Sequence, residues 1–247
     1  MRFLISVSYD GEKLYGFERQ PRKKTVQGEL ERVLTKINKT TVFIKGAGRT
    51  DRGVHAYDQK VHFDLNVNIT PEGLKRGMNS MLDPSVYVNS VKVVSDEFHA
   101  RFDVKKKVYR YDINLGEYNP IINSYVYNYN RNLNVSAMKK ASKYMLGINS
   151  YEAFTSGERE NYNSIIYKIT FSKKKDILSI KFEGKAFYRY MVRNLVGALI
   201  LVGEGKVEPE YIKELITKKT RKKYVTVPAN GLYLMKVDYW VNFFKLT

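Results

Sequence analysis

Residues 2–8 read RFLISVS, a stretch in which Phe3, Ile5 and Val7 stand at alternate positions. This alternation predicts a strand with one face turned towards a core. Further along, residues 26–37 read VQGELERVLTKI and carry their apolar side chains at helical spacing. The same signals predict strands at 42–45, 61–65 and 86–94, and a helix that begins at Thr70 and Pro71.

The rest of the chain continues this mixture of elements. The pattern predicts strands at 109–115, 164–171, 177–183 and 232–240, and helices from Ser136, over 186–202 and after Pro209. Strands outnumber helices and alternate with them irregularly, so the predicted fold class is α+β with mainly antiparallel sheets. The basic stretch from Phe102 to Lys107 predicts a boundary that separates one half, residues 1–103, from a second half, residues 104–247.

The composition indicates a folded protein with an acidic partner. Among 247 residues, 43 are Lys or Arg and 25 are Asp or Glu, which gives a formal net charge of +18. A surplus of this size favours binding to polyanions, and twenty tyrosines can stack on unpaired bases, so structured RNA is the predicted partner. The absence of cysteine excludes disulfides, thiolate metal sites and a cysteine nucleophile.

Neither a membrane segment nor a signal peptide is predicted. The longest apolar run, residues 195–202, is too short to cross a bilayer, and the first residues reach Asp10 without a long apolar stretch. We therefore expect a soluble, cytoplasmic protein.

The segment at 45–56, KGAGRTDRGVHA, is the most unusual part of the chain. Its three glycines allow a ligand to approach the backbone closely. A dinucleotide fingerprint would need glycine in place of Asp51, and a phosphate-binding P-loop would need Lys-Ser or Lys-Thr after Gly53, so both interpretations fail.

A metal site is the next interpretation of this segment. Asp51, His55, Asp58 and His62 are ligand-type residues at short intervals. The strand predicted at 61–65 puts His62 on the face opposite the buried one, however, and no second carboxylate cluster completes a two-metal site. We therefore predict no metal.

Two interpretations of Asp51 then remain. Flanked by Arg49 and Arg52, its carboxylate forms either a surface ion pair that stabilises a turn or an ionised group that serves as nucleophile or base.

The segment Gly48–Ala56 resembles the signature loop of the tRNA pseudouridine synthase A family, whose aspartate is catalytic. The resemblance extends in order along nearly the whole chain, through Tyr9-Asp10-Gly11 with Gly16-Phe17, Thr25-Val26-Gln27, Phe98-His99-Ala100-Arg101-Phe102, Tyr109-Arg110-Tyr111, Met191-Val192-Arg193-Asn194 and Pro228-Ala229. It implies two ferredoxin-like, RNP-like α+β halves whose mainly antiparallel sheets join across a central catalytic cleft. It also implies a homodimer without metal or other cofactor, and conversion of uridine to pseudouridine at positions 38–40 of the tRNA anticodon stem-loop.

The resemblance also implies site residues. It makes Asp51 catalytic, with Arg193 as its basic partner and Tyr109 as an aromatic residue that stacks on the base. By residue type alone, Arg49 could equally pair with Asp51, Arg193 could face solvent or phosphate, and Tyr109 could be an ordinary strand aromatic. The substrate-binding residues that we expect are Arg49, Arg52, His55, Arg101 and Arg110.

Several positions depart from the family pattern and concern the substrate more than the chemistry. They are Glu18, Arg52, the stretch at 147–151, Tyr188 and Tyr190. The same chemistry on another structured RNA, such as ribosomal RNA, therefore stays open as an alternative. A non-catalytic RNA-binding protein is a weaker alternative, because binding alone does not need a carboxylate beside RNA phosphates.

Overall fold

A computed structural model of the chain describes residues 1–218 and 220–240. The strands are β1 (Arg2–Tyr9), β2 (Lys45–Gly46), β3 (His55–Asp64), β4 (Val86–Val93), β5 (Val104–Asn114), β6 (Tyr127–Asn128), β7 (Gly147–Ser150), β8 (Asn163–Lys174), β9 (Ile177–Gly184) and β10 (Leu232–Tyr239). The α-helices are α1 (Val26–Asn38), α2 (Pro71–Asn79), α3 (Val135–Ser142), α4 (Met191–Gly203) and α5 (Tyr211–Ile216). Short 3-10 turns connect several of these elements.

The chain forms two compact units. The first consists of residues 1–105 together with the strand that follows Leu232, and the second consists of residues 106–232. The last strand thus belongs with the N-terminal part of the chain. The division into folding domains at 103 and 104 stays a prediction. The basic stretch from Phe102 to Lys107 is not a linker, since β5 begins within it at Val104.

In the first unit, the strands follow the order β4-β1-β3-β10. Strand β2 also pairs with β3, at Val61 and His62, beyond the residues of β3 that pair with β10. The pairs of β1 with β3 and with β4 are antiparallel, with Phe3 opposite Phe63 and Val93, whereas β10 runs parallel to β3. Both faces of β1 are buried: Phe3 and Ile5 on one, Leu4 on the other. The predicted alternation therefore marks the strand but not a solvent-facing side.

The helices of the first unit begin where their capping residues predict. The Thr25 hydroxyl accepts a hydrogen bond from the Gly28 amide at 3.2 Å, and α1 buries Val26, Leu30, Val33 and Leu34. The Thr70 hydroxyl caps α2 in the same way, with Pro71 as its first residue.

The strand predicted at 42–45 is largely wrong. Only Lys45 and Gly46 pair with β3. The amides of Val42 and Ile44 instead donate to side chains of α1, the Thr35 hydroxyl at 3.1 Å and a Glu31 carboxylate oxygen at 3.1 Å. These hydrogen bonds hold the segment against the helix rather than in a sheet.

In the second unit, β5, β9, β8 and β7 form antiparallel neighbours in that order, and β6 pairs in parallel with β5. The helix α4 is buried along almost its whole length. It begins at Met191 rather than at 186, because Tyr190 has a left-handed backbone with φ +62° that interrupts helical geometry. Taken unit by unit, the mixed α+β class with mostly antiparallel pairing is confirmed. Within the described residues, no helix has the length and apolarity needed to span a bilayer.

Candidate active-site loop

The loop between β2 and β3, residues 47–54, is anchored at its start to β3. The Ala47 amide donates to the Lys60 carbonyl at 2.7 Å, and the Gly48 carbonyl accepts from the Gln59 side-chain amide at 3.0 Å. Gln59 is completely buried. The loop is therefore held by buried hydrogen bonds from the strand that follows it.

Thr50 anchors the middle of the loop to the N-terminal strand. Its hydroxyl lies 2.8 Å from the Tyr9 hydroxyl, and its carbonyl accepts from the Phe17 amide at 3.0 Å. Burial raises the pKa of Tyr9 to about 12, because the phenolate would lose its hydration. Tyr9 accordingly stays neutral at physiological pH and positions the loop rather than acting as a base.

Two glycines allow residues 10–17 to pack directly on the loop backbone. A Cβ atom on Gly11 would lie 2.1 Å from the Val54 carbonyl oxygen, and one on Gly16 would lie 2.9 Å from the Thr50 carbonyl oxygen. Gly16 also has φ +87°, which favours glycine. The Gly53 amide donates to the Gly11 carbonyl at 3.2 Å, so the two segments are bonded as well as packed.

Asp51 is half-buried between the buried Thr50 and the exposed Arg52. Its carbonyl accepts from the Val54 amide at 3.2 Å, which closes a turn around it. The flanking arginines have partners of their own. Arg49 pairs with Glu18 at 2.8 Å, and the Arg52 guanidinium lies 4.4 Å from the centre of the Tyr15 ring.

His55 is buried and acts as a structural support of the loop. Its Nδ1 accepts a hydrogen bond from the Gly11 amide at 3.1 Å and lies 3.2 Å from a carboxylate oxygen of Asp10. Its ring stacks on Tyr233 with centroids 4.8 Å apart. Its contact with substrate stays a prediction.

Asp58 and His62, the other two residues considered as metal ligands, have different surroundings. Asp58 accepts hydrogen bonds from Ser6 and Lys60 and from the Val237 amide. His62 is buried as well, so its expected position on an exposed face is wrong. It lies opposite Leu4, under the apolar cluster that contains Phe98 and Ala100, and its Nδ1 accepts from the Ala100 amide at 3.1 Å.

Burial is also the main reason that the pKa of His62 falls to about 4, with His99 adding repulsion. Among residues 1–218 and 220–240, no group of three His, Asp or Glu side chains is arranged to hold a metal ion.

The second unit contains the other two predicted catalytic residues. Tyr109 lies on β5, buried, and meets Phe187 edge to face with centroids 5.1 Å apart. Arg193, in the first turn of α4, donates from Nε to the Val227 carbonyl at 2.8 Å, and its guanidinium lies 4.8 Å from the centre of the Tyr190 ring.

The remaining predicted substrate-binding residues differ in their surroundings. Arg110 donates from Nε to a carboxylate oxygen of Asp112 at 3.0 Å. Burial raises the pKa of Asp112, and the hydrogen bond from the Ser179 hydroxyl and the charge of Arg110 partly offset this rise. Arg101, in the first unit, is exposed. Their contacts with RNA stay predictions.

Three residues make supporting contacts at these sites that the sequence did not predict for them. Tyr190 carries the left-handed backbone beneath Arg193. Asn194, buried in α4, donates to the Phe154 carbonyl at 2.8 Å and accepts from the Thr226 hydroxyl at 2.6 Å. Tyr15 lies beside Arg52. An asparagine within an apolar helix was the only signal in the sequence, since positive φ angles and cation–ring contacts leave no local pattern.

Comparison with known proteins gives a consistent result. A family model described as tRNA pseudouridine synthase matches residues 5–103 and 141–240. A tRNA pseudouridine synthase A of Thermosipho africanus is 39% identical over 240 residues, covering 96% of this chain and 98% of the relative. Relatives with the same name from Pseudothermotoga lettingae and Listeria monocytogenes are 42% and 38% identical, each over 96% of this chain and 99% of the relative.

Proposed function

The chain belongs to the tRNA pseudouridine synthase family, and from this premise we propose that it isomerises uridine to pseudouridine in the anticodon stem-loop of tRNA. The observation that carries the proposal is the family match over residues 5–103 and 141–240, which includes the whole of the loop around Asp51. The net charge of +18 suits a polyanionic substrate of this kind.

The reaction breaks the N1–C1′ bond of uridine, turns the base and joins C5 to C1′. N1 gains a proton and C5 loses one, so no oxidant or reductant is consumed. The isomerisation therefore needs no redox cofactor, and we propose, as the family resemblance implies, that the enzyme uses neither a metal nor another cofactor. The target base must also leave its stack, which costs a few kcal/mol and requires a pocket for the extruded base.

We propose Asp51 as the catalytic carboxylate, acting either by attack on C1′ or by removal of a proton from C2′ to give a glycal. Its support is the loop itself. Thr50 is tied to Tyr9, Val54 is packed on Gly11, and the Asp51 carbonyl closes the turn. A carboxylate on such a fixed backbone loses little freedom when substrate arrives.

We propose Arg193 as the cation that keeps Asp51 ionised and Tyr109 as the ring that stacks on the base. The hydrogen bond from Arg193 to Val227 and the Tyr190 ring beneath its guanidinium restrict the rotamers of this side chain. Tyr109 is held by Phe187 in the same unit. Fixed side chains of these types are suited to charge stabilisation and stacking.

We propose further that each unit is a ferredoxin-like half. In the first unit the element order is β1-α1-β2-β3-α2-β4 and the strand order is β4-β1-β3-β2, with every one of these pairs antiparallel. In the second, β9 lies between β5 and β8, and helices α3 and α4 follow β5 and β9 along the chain. We propose in addition that the chain works as a homodimer in the cytoplasm, as the sequence analysis predicts.

Replacement of Asp51 by Asn tests the proposal. Asp51→Asn keeps the side-chain volume but removes the charge, so we expect no tritium release from tRNA labelled at C5 of uridine, with tRNA affinity within a few-fold of the wild type. Asp96→Asn, an exposed aspartate in the same unit, is the matched control and should keep full activity. Substantial turnover by Asp51→Asn would remove Asp51 from its proposed role.

Pseudouridine mapping by carbodiimide modification, in total RNA from cells with and without this gene, identifies the substrate. Loss of pseudouridine in the anticodon stem-loops of tRNA is the expected result. Loss confined to ribosomal RNA would keep the reaction but overturn the proposed substrate.

A further inference from the structure

Two cations share one aromatic ring next to the Asp51 loop. The Lys23 ammonium lies 4.5 Å and the Arg52 guanidinium 4.4 Å from the centre of the Tyr15 ring. Tyr15 is half-buried, and both cations are exposed. We call Tyr15, Lys23 and Arg52 the Tyr15 cluster.

The cations of the Tyr15 cluster lack the carboxylate partners that Arg49 and Lys24 have. Arg49 is paired with Glu18, and Lys24 is paired with Asp83. Within the part of the chain that the structure describes, no carboxylate forms an ion pair with Lys23 or Arg52. Two like charges close to one ring repel each other, and an anion bound by these cations would lessen that repulsion.

The backbone around the cluster is fixed. The Tyr15 amide donates to the Lys24 carbonyl at 2.8 Å, which ties the ring and Lys23 to one turn. Next to Tyr15, the Gly16 carbonyl accepts from the Val26 amide at 3.1 Å. Arg52 follows Asp51 directly, so their Cα atoms are about 3.8 Å apart. The cluster therefore places an anion site on the same loop as the proposed catalytic carboxylate.

The side chains of the cluster select the kind of anion. Lysine and arginine carry donors only, so the ligand must present acceptors. A phosphate presents several charged oxygens, which an arginine fork can bind in a bidentate way and a lysine can bind as a point charge. Both cations already contact the Tyr15 ring, which favours a role in orienting them over a role in stacking on a base.

We propose that the Tyr15 cluster binds a backbone phosphate of the substrate RNA, next to the uridine on which Asp51 acts. This inference rests on the proposed function. It adds Tyr15 and Lys23 to the substrate-binding residues and assigns Arg52 to the RNA backbone rather than to the base. Binding of this phosphate fixes the position of the RNA strand but does not read its base sequence.

The test measures tRNA affinity over a series of salt concentrations with the full-length chain. We expect Arg52→Ala and Lys23→Ala each to weaken binding about three- to tenfold and to reduce the slope of log affinity against log salt by about one. Tyr15→Leu should weaken binding, whereas Tyr15→Phe keeps the ring and should bind like the wild type. Lys174→Ala, an exposed lysine on β8 of the second unit, is the matched control.

A second arm uses anticodon stem-loop RNA in which one phosphate at a time is replaced by a neutral methylphosphonate. At one position near the target uridine, the replacement should weaken binding by the wild type but add little to the effect of Arg52→Ala. Variants of the cluster that bind and respond to salt like Lys174→Ala, while the wild type makes pseudouridine normally, would overturn this inference alone. A wild type that makes no pseudouridine would overturn the proposed function and this inference with it.

Discussion

Gly11 lies against the backbone of the Asp51 loop, and its replacement by alanine gives a sharp test of how that loop is held. The added Cβ atom would lie 2.1 Å from the Val54 carbonyl oxygen, 2.4 Å from the carbonyl carbon and 2.8 Å from the amide nitrogen. All three are backbone atoms, so no side-chain rotation relieves the clash. To reach an ordinary contact distance, the two segments must separate by about 1 Å or more.

Overpacking a buried contact typically lowers the free energy of unfolding by about 1–3 kcal/mol. We expect Gly11→Ala to lower the free energy of unfolding by about 2–3 kcal/mol, at the upper end of that range, because the clash is with backbone. The Val54 amide donates to the Asp51 carbonyl, so the displacement reaches the turn that holds the proposed catalytic Asp51. A shift of about 1 Å at a reacting group lowers kcat roughly a hundredfold.

Gly77→Ala is the matched control, the same chemical change at an open site. Gly77 lies within α2, and a Cβ atom there would meet nothing closer than an Ile37 methyl carbon at 3.8 Å. Alanine in a helix stabilises by about 0.5–1 kcal/mol relative to glycine, so this variant should be more stable and fully active. Urea unfolding followed by circular dichroism, together with tritium release from tRNA, measures both effects. Equal unfolding free energies for the two variants, or a fully active Gly11→Ala, would refute the packing argument.

Three other predictions concern pH, metals and assembly. The pKa of His62 is about 4 in the folded protein and about 6.5 in the unfolded chain. The unfolded chain therefore binds a proton first as the pH falls, so the free energy of unfolding is unaffected above pH 6.5 and decreases by roughly 3 kcal/mol as the pH falls towards 4. Urea titrations from pH 4 to 7.5 should show this fall, and His62→Asn, which keeps an acceptor for Ala100, should flatten it. EDTA should leave pseudouridine formation intact when the RNA is kept folded by monovalent salt; activity lost and then restored by zinc or magnesium would contradict the cofactor-free proposal. Light scattering should give a mass near twice 28.8 kDa, and a fully active monomer would contradict the proposed homodimer.

The chain itself determines the elements whose signals are local. The spacing of apolar residues in α1 and the caps Thr25 and Thr70 predict helices that form where expected. The order of strands and helices is sufficient for the α+β class. The Asp51 loop is recognisable from consecutive residues, because its chemistry and its glycines lie within one short stretch.

Only the tertiary structure decides the features that depend on distant residues. Residues 42–44 leave the sheet because side chains of α1 take their amides, and His62 is buried because the segment around Phe98 and Ala100 covers its side of β3. Arg52 meets Tyr15, 37 positions earlier in the chain, because Gly16 and Gly11 let the two backbones touch. Local patterns record the preferences of neighbouring residues, whereas burial and ring contacts arise from segments that meet only after the chain has folded.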